Sequence, residues 1–146
     1  MIKQLTMVVV LLTIPFLLPA QTSEVFSTSE GAIKGYDPVA FFNEGKPIEG
    51  KKELSYDWNH ANWHFANQKN LETFKADPLK YAPQYGGYCA YGTAHGHKAP
   101  TETSTWTIVD GKLYFNYNND VKGKWLNDQK ALIEKADKNW PEVKKE

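Results

Sequence analysis

Arginine is absent from the 146-residue sequence, so all 17 basic side chains are lysines, and 17 acidic ones balance them. The planar, bidentate grip that a guanidinium offers phosphate or carboxylate is therefore excluded. Nucleic acid calls for a concentrated positive face, and a balanced, arginine-free chain argues against it as a partner. Cysteine is nearly absent too: Cys89 stands alone. One thiol excludes an internal disulfide, a Cys-x-x-Cys redox pair and haem attachment through Cys-x-x-Cys-His. It is left to be buried, bonded to a partner chain, or chemically used. Methionine occurs only at positions 1 and 7, which removes the weak axial ligand of an ordinary blue-copper site from the body of the chain. A single long apolar run, 5–18, is interrupted by Thr6, Thr13 and Pro15. It is shorter than the roughly 20 residues a bilayer span needs, and nothing later in the chain could cross a membrane.

Lys3 ahead of that run and the small Ala20 behind it read as a secretory signal peptide over 1–20, cleaved near Ala20, with an uncleaved amino-terminal anchor as the alternative. The expected location is periplasmic or secreted. Cleavage would leave 126 residues of net charge −1, the length of one domain. Five tryptophans and eight tyrosines can fill a dense core without disulfides. Residues 21–31, rich in Ser, Thr and Glu without periodicity, read as a flexible leader. The folded domain is expected over 32–141, with a charged tail at 142–146.

Along that domain, 32–36 reads as a short strand. Asp37 and Pro38 form the cap and first position of a helical turn. Polar and apolar residues alternate over 53–58 and 63–66, predicting a hairpin around a four-residue turn at 59–62. In that register Trp58 faces Trp63, and Asp57 faces His64. Asn67 caps a helix over 68–76, and Asp77-Pro78 starts a short turn. Asp110-Gly111 between alternating segments is a strong signal for a second hairpin. Asn119 or Asp120 opens a last amphipathic helix to about residue 138, with Val121, Trp125, Leu132, Ala136 and Trp140 on one stripe. The fold class is α+β: two antiparallel hairpins, short helices and a carboxyl-terminal helix. Trp63, Phe65, Phe74, Trp106, Leu113, Phe115 and Trp125 are expected to be buried together.

The chemically distinctive stretch is 83–97. Tyr85, Gly86, Gly87 and Tyr88 are candidate site-shaping or ligand-binding residues, because a glycine pair permits positive φ or close backbone approach. Cys89 would lie in the first turn of a helix over 88–94, where the helix dipole favours thiolate. Cys89, His95 and His97, with His64 or His60 from the first hairpin, are the candidate ligands for copper or zinc. Their spacing matches no zinc signature, and only a loop lets both His95 and His97 converge. A nucleophilic Cys-His pair is the enzyme alternative, without a resolving cysteine or protease signature to support it. Asp37, Asp77 and Asp120 are accounted for as caps, so no catalytic set is assigned. A third alternative is a binding module in which Cys89 is a packed small hydrophobe and the partner is a protein of the cell envelope or a small ligand.

Five segments, Gly35-Tyr36-Asp37-Pro38-Val39-Ala40-Phe41-Phe42, Trp63-His64-Phe65-Ala66-Asn67, Phe74-Lys75-Ala76-Asp77-Pro78-Leu79-Lys80-Tyr81, Tyr85-Gly86-Gly87-Tyr88-Cys89-Ala90 and Asp110-Gly111-Lys112-Leu113-Tyr114, resemble exported bacterial YHS-domain proteins. The resemblance covers nearly all of the chain after the leader. The expected role is that of an exported, non-catalytic accessory domain, and the resemblance to the short YHS domains of heavy-metal transporters implies metal binding. Those short domains commonly carry two cysteines at places that correspond here to Ala66 and Asn70. The soft ligands are therefore missing at that junction, and Cys89 belongs to a different motif.

Overall fold

Asparagine and aspartate side chains open four helices in the computed structural model, which describes residues 23–146. Each accepts backbone N–H groups that the first helical turn leaves without a partner. Asp37 caps α1 (Pro38–Asn43), Asn67 caps α2 (Gln68–Ala76), and Asp77 caps α3 (Pro78–Tyr81). The sulfur of Cys89 caps α4 (Ala90–Ala94). Asn118, ahead of both expected caps (Asn119 or Asp120), opens α5 (Asn119–Asn127). The single last helix expected from the stripe is divided at Asp128, and α6 (Gln129–Val143) follows. Asn127 and Asp128 are poor interior residues because their side chains compete for local backbone groups. Pro141 does not end α6, which runs on to Val143.

The chain is an α+β domain with three two-stranded antiparallel sheets among the described residues: β1 (Ser27–Thr28) with β2 (Gly31–Ala32), β3 (Lys51–Trp58) with β4 (Ala61–Phe65), and β5 (Glu102–Val109) with β6 (Lys112–Asn116). The strand expected over 32–36 is mostly a 3-10 turn, Ile33–Gly35. The β3–β4 loop is Asn59-His60 alone, both at positive φ (50° and 58°), the geometry that matches strand twist in a two-residue hairpin. Tyr56 therefore pairs with Trp63, Asp57 with Asn62 and Ser55 with His64. The shift from the expected partners is two residues, so the apolar side chains keep a common face. Asp110-Gly111 turns β5 into β6 in the same manner, at φ 50° and 72°.

Alternation along β6 serves two cores. Leu113 and Phe115 enter a cluster with Val25, Ile33, Phe41, Trp63, Phe65 and Phe74. Tyr114, on the opposite face, joins Tyr85, Ala90, Trp125, Leu132 and Ala136. Trp125 is thus buried in a separate cluster from the hairpin aromatics, and Trp106 is only half-buried, against Phe41.

Both ends of the expected domain extend further than composition implied. Val25 is 1% exposed, Phe26 N–H donates to Gly86 O (2.8 Å) and Ile33 N–H to Phe26 O (2.8 Å), so 23–31 is packed rather than a flexible leader. One buried apolar side chain and two backbone hydrogen bonds suffice where periodicity is absent. Val143 is buried, and Lys98 Nζ donates to the carbonyls of Lys144 (3.0 Å) and Glu146 (2.8 Å), which holds the expected tail. The expected signal peptide over 1–20 lies outside the described residues. No helix among the described residues is long and apolar enough to cross a membrane.

Candidate functional site

The glycine pair sits in a 3-10 turn, Gln84–Gly87, in which Tyr85, Gly86 and Gly87 all take positive φ (56°, 62° and 86°). Both permissive uses of glycine occur together here. A Cβ on Gly86 would lie 1.7 Å from Glu24 O, and one on Gly87 2.7 Å from Ile33 Cγ2. The amino-terminal segment, not a ligand, is what approaches these two residues. Tyr88 serves the same contact: its hydroxyl donates to Ser23 O (3.1 Å), and Lys98 Nζ stands 5.0 Å over its ring while donating to the same carbonyl (3.0 Å).

Cys89 is 1% exposed. Its sulfur accepts N–H groups from Gly92 (3.4 Å) and Tyr117 (3.3 Å), and its S–H points at Asn116 Oδ1 (3.6 Å). Burial pushes the thiol pKa up, although the backbone donors, Gly92 first, oppose it. That reverses the expectation of a dipole-activated thiolate. His95 and His97 are exposed beyond the end of α4. His95 folds back on its own helix, Nδ1 lying 2.7 Å from Tyr91 O and the ring 4.3 Å from the Tyr91 ring.

His64 lies elsewhere. It is buried in β4 and faces Ser55 rather than Asp57. Asp57 is instead bound by Asn62 Nδ2 (2.7 Å), which aims Asn62 Oδ1 at His64 Nε2 (2.7 Å). A carboxylate only accepts, so the amide orientation follows, and Nε2 must carry the imidazole proton. Burial and then the Lys52 ammonium lower the His64 pKa, against the carboxylate of Glu53. Gly31, Gly35 and Gly50 crowd this side chain; a Cβ on any of them would come within 3.3 Å of a His64 atom. His60 occupies the exposed hairpin loop. Among the described residues no three His, Cys, Asp or Glu side chains form a group that could hold a metal ion.

At the junction of Ala66 and Asn70 stands a closed polar network. The fully buried Asp37 carboxylate accepts from Val39 N–H (2.8 Å) and Ala40 N–H (3.3 Å) through Oδ1. Its Oδ2 accepts Ala66 N–H (2.8 Å) and Asn70 Nδ2 (2.8 Å). Four donors satisfy the buried carboxylate and tie α1 to α2 and to Ala66, the residue that follows β4.

Between the two cores opens a cleft of about 420 Å³. Trp58 and Trp63 from the first hairpin, Tyr85 and Gly86 from the 3-10 turn, and Trp140 from α6 form much of its wall. Tyr85 hydroxyl donates to Asp137 Oδ1 (2.8 Å), fixing that carboxylate at the rim. Burial, then the Asp137 hydrogen bond and charge, drives the Tyr85 pKa far up, so the phenol keeps its proton. Asn59, Gln84 and Lys112 also line the cleft, and among the described residues their side chains take no hydrogen bond or ion pair. Of the residues singled out from sequence, Tyr85 and Gly86 line this cleft, while Gly87, Tyr88, Cys89, His64, His95 and His97 do not. Trp58, Gln84, Lys112, Asp137 and Trp140 were not legible as a set, because they come from separate elements and share no spacing. Compared with family models, curated proteins and solved structures, the chain finds no match in any of the three.

Proposed function

We propose that this is an exported, non-catalytic accessory domain of the YHS type that binds a small ligand or a segment of an envelope partner in the cleft bounded by Trp58, Tyr85 and Trp140, with Cys89 as a packing residue. The observation that carries this reading is the cleft itself. Aromatic walls converge there with polar side chains that the fold leaves without partners, the composition expected of a ligand site. Its volume, about 420 Å³, falls within the range of about 300–1,000 Å³ typical of such sites. Export rests on the Lys3, apolar-run and Ala20 pattern alone.

A copper or zinc site at Cys89 is the second reading, favoured by one contact. Gly92, whose N–H reaches Cys89 Sγ, is also packed by His97, and a Cβ there would lie 3.4 Å from His97 Nε2. Two experiments test the pair. Nuclear magnetic resonance of the indole N–H groups, with a mixed small-molecule library, is expected to shift Trp58 and Trp140 together; silence at both overturns the cleft reading. Calorimetric titration of the reduced protein with Cu(I) and Zn(II) is expected to give the same weak signal for the wild type, Cys89→Ser and the His95→Ala, His97→Ala double variant. A stoichiometric site lost on Cys89→Ser would establish the metal reading instead.

A further inference from the structure

The cleft's chemistry narrows the ligand class, an inference that rests on the cleft being a binding site. We propose that it takes a sugar, as a free pyranose or as the end of a glycan. A pyranose has two kinds of surface. Its axial C–H groups make an apolar, slightly positive face that stacks on the negative face of an indole. Its equatorial hydroxyls each donate one hydrogen bond and accept others.

The cleft offers both counterparts. Trp58 and Trp140, both half-buried, line the cleft from opposite cores. The amides of Asn59 and Gln84 each carry a donor and an acceptor, matching a hydroxyl's dual capacity. Lys112 only donates and Asp137 only accepts, and Asp137 is held in place by the Tyr85 hydroxyl. An aliphatic chain would bury these polar groups without partners, each costing about 1–3 kcal/mol. A phosphorylated ligand would meet Lys112 alone as a cation without a carboxylate partner, with Asp137 and Glu24 opposing it. Glu24 already pairs with Lys144 at 3.5 Å, which leaves the neutral, hydroxyl-rich class as the best complement.

The test is titration of the full chain with glucose, galactose, N-acetylglucosamine, cellobiose and di-N-acetylchitobiose. Binding is followed by calorimetry and by the indole signals of Trp58 and Trp140. At least one sugar should bind saturably and shift both indoles. Gln84→Ala and Lys112→Ala should each weaken binding by about tenfold, the scale of one well-made hydrogen bond to a charged or fixed polar group, with the melting temperature unchanged. Tighter binding of a disaccharide than of its monomer identifies a glycan end, and equal binding a free sugar. Binding untouched by both variants places the sugar elsewhere and overturns the proposal, as does failure of every sugar to bind. L-Phenylalanine amide serves as a separate probe: if it shifts both indoles while no sugar does, the cleft remains a binding site and only the sugar assignment falls.

Discussion

Cys89 illustrates how two local effects compete at one atom. A helix start favours the thiolate, whereas burial disfavours it, and burial is the largest influence on Cys89. Because Cys89 is 1% exposed, burial prevails and the thiol stays protonated. A disulfide reagent should therefore leave Cys89 unmodified in the native protein and titrate one thiol after unfolding in guanidinium. Rapid stoichiometric reaction of the native protein would contradict this burial. The sulfur's role as acceptor carries its own cost on removal: Cys89→Ala leaves Gly92 and Tyr117 N–H without a partner and should destabilise by about 1–3 kcal/mol.

Among the elements, the amino-terminal segment depends most on one residue. Gly86 is at φ 62°, and its Cα hydrogen faces Glu24 O so closely that a methyl group would stand 1.7 Å from that oxygen. Left-handed backbone alone costs an L residue about 1–2 kcal/mol. Gly86→Ala should cost more than that, because Glu24 is backbone and cannot swing aside. The expected outcome is detachment of 23–31 with loss of the Phe26 N–H to Gly86 O bond, read as lost hydrogen-exchange protection at Phe26 while Phe74 and Trp63 stay protected. Uniform loss across the chain would instead mean that this segment and the hairpin core unfold as one unit.

At the scale of the molecule, the second core sets an alkaline limit. Tyr114 is pushed up to about 12 by burial, then by the carboxylates of Asp137 and Asp110, and Tyr85 is raised further. Both phenols ionise more readily unfolded, near the ordinary value of 10.0. Their contribution is thus complete below pH 10 and is lost as pH rises through 12 and beyond. His64 acts on the acid side in the opposite sense: its lowered folded pKa means that the unfolded chain takes the proton first, so stability declines as pH falls below 6.5. Urea midpoints measured against pH should fall on both sides of that plateau, and Tyr114→Phe should flatten the alkaline limb. An alkaline limb unchanged in Tyr114→Phe would remove Tyr114 from this account.

Elements governed by neighbours in the chain were legible in the sequence. Asp37-Pro38 and Asn67 cap helices by reaching backbone two or three residues on, Asp110-Gly111 supplies its own positive φ, and alternation puts Tyr56 and Trp63 on one face. The α+β class follows from such local rules. Long-range contacts decided the rest. Asn59-His60 closes a two-residue turn without a glycine, which moves His64 away from Asp57. Tyr85 reaches Asp137 across 52 positions, and Gly86 meets Glu24 from the far end of the domain. Burial of Cys89 and convergence of Trp58 with Trp140 around one cleft depend on which faces pack together. Side-chain type and spacing determine the shape of each element, but only the packed chain determines which side chains lose water and which remain without a partner.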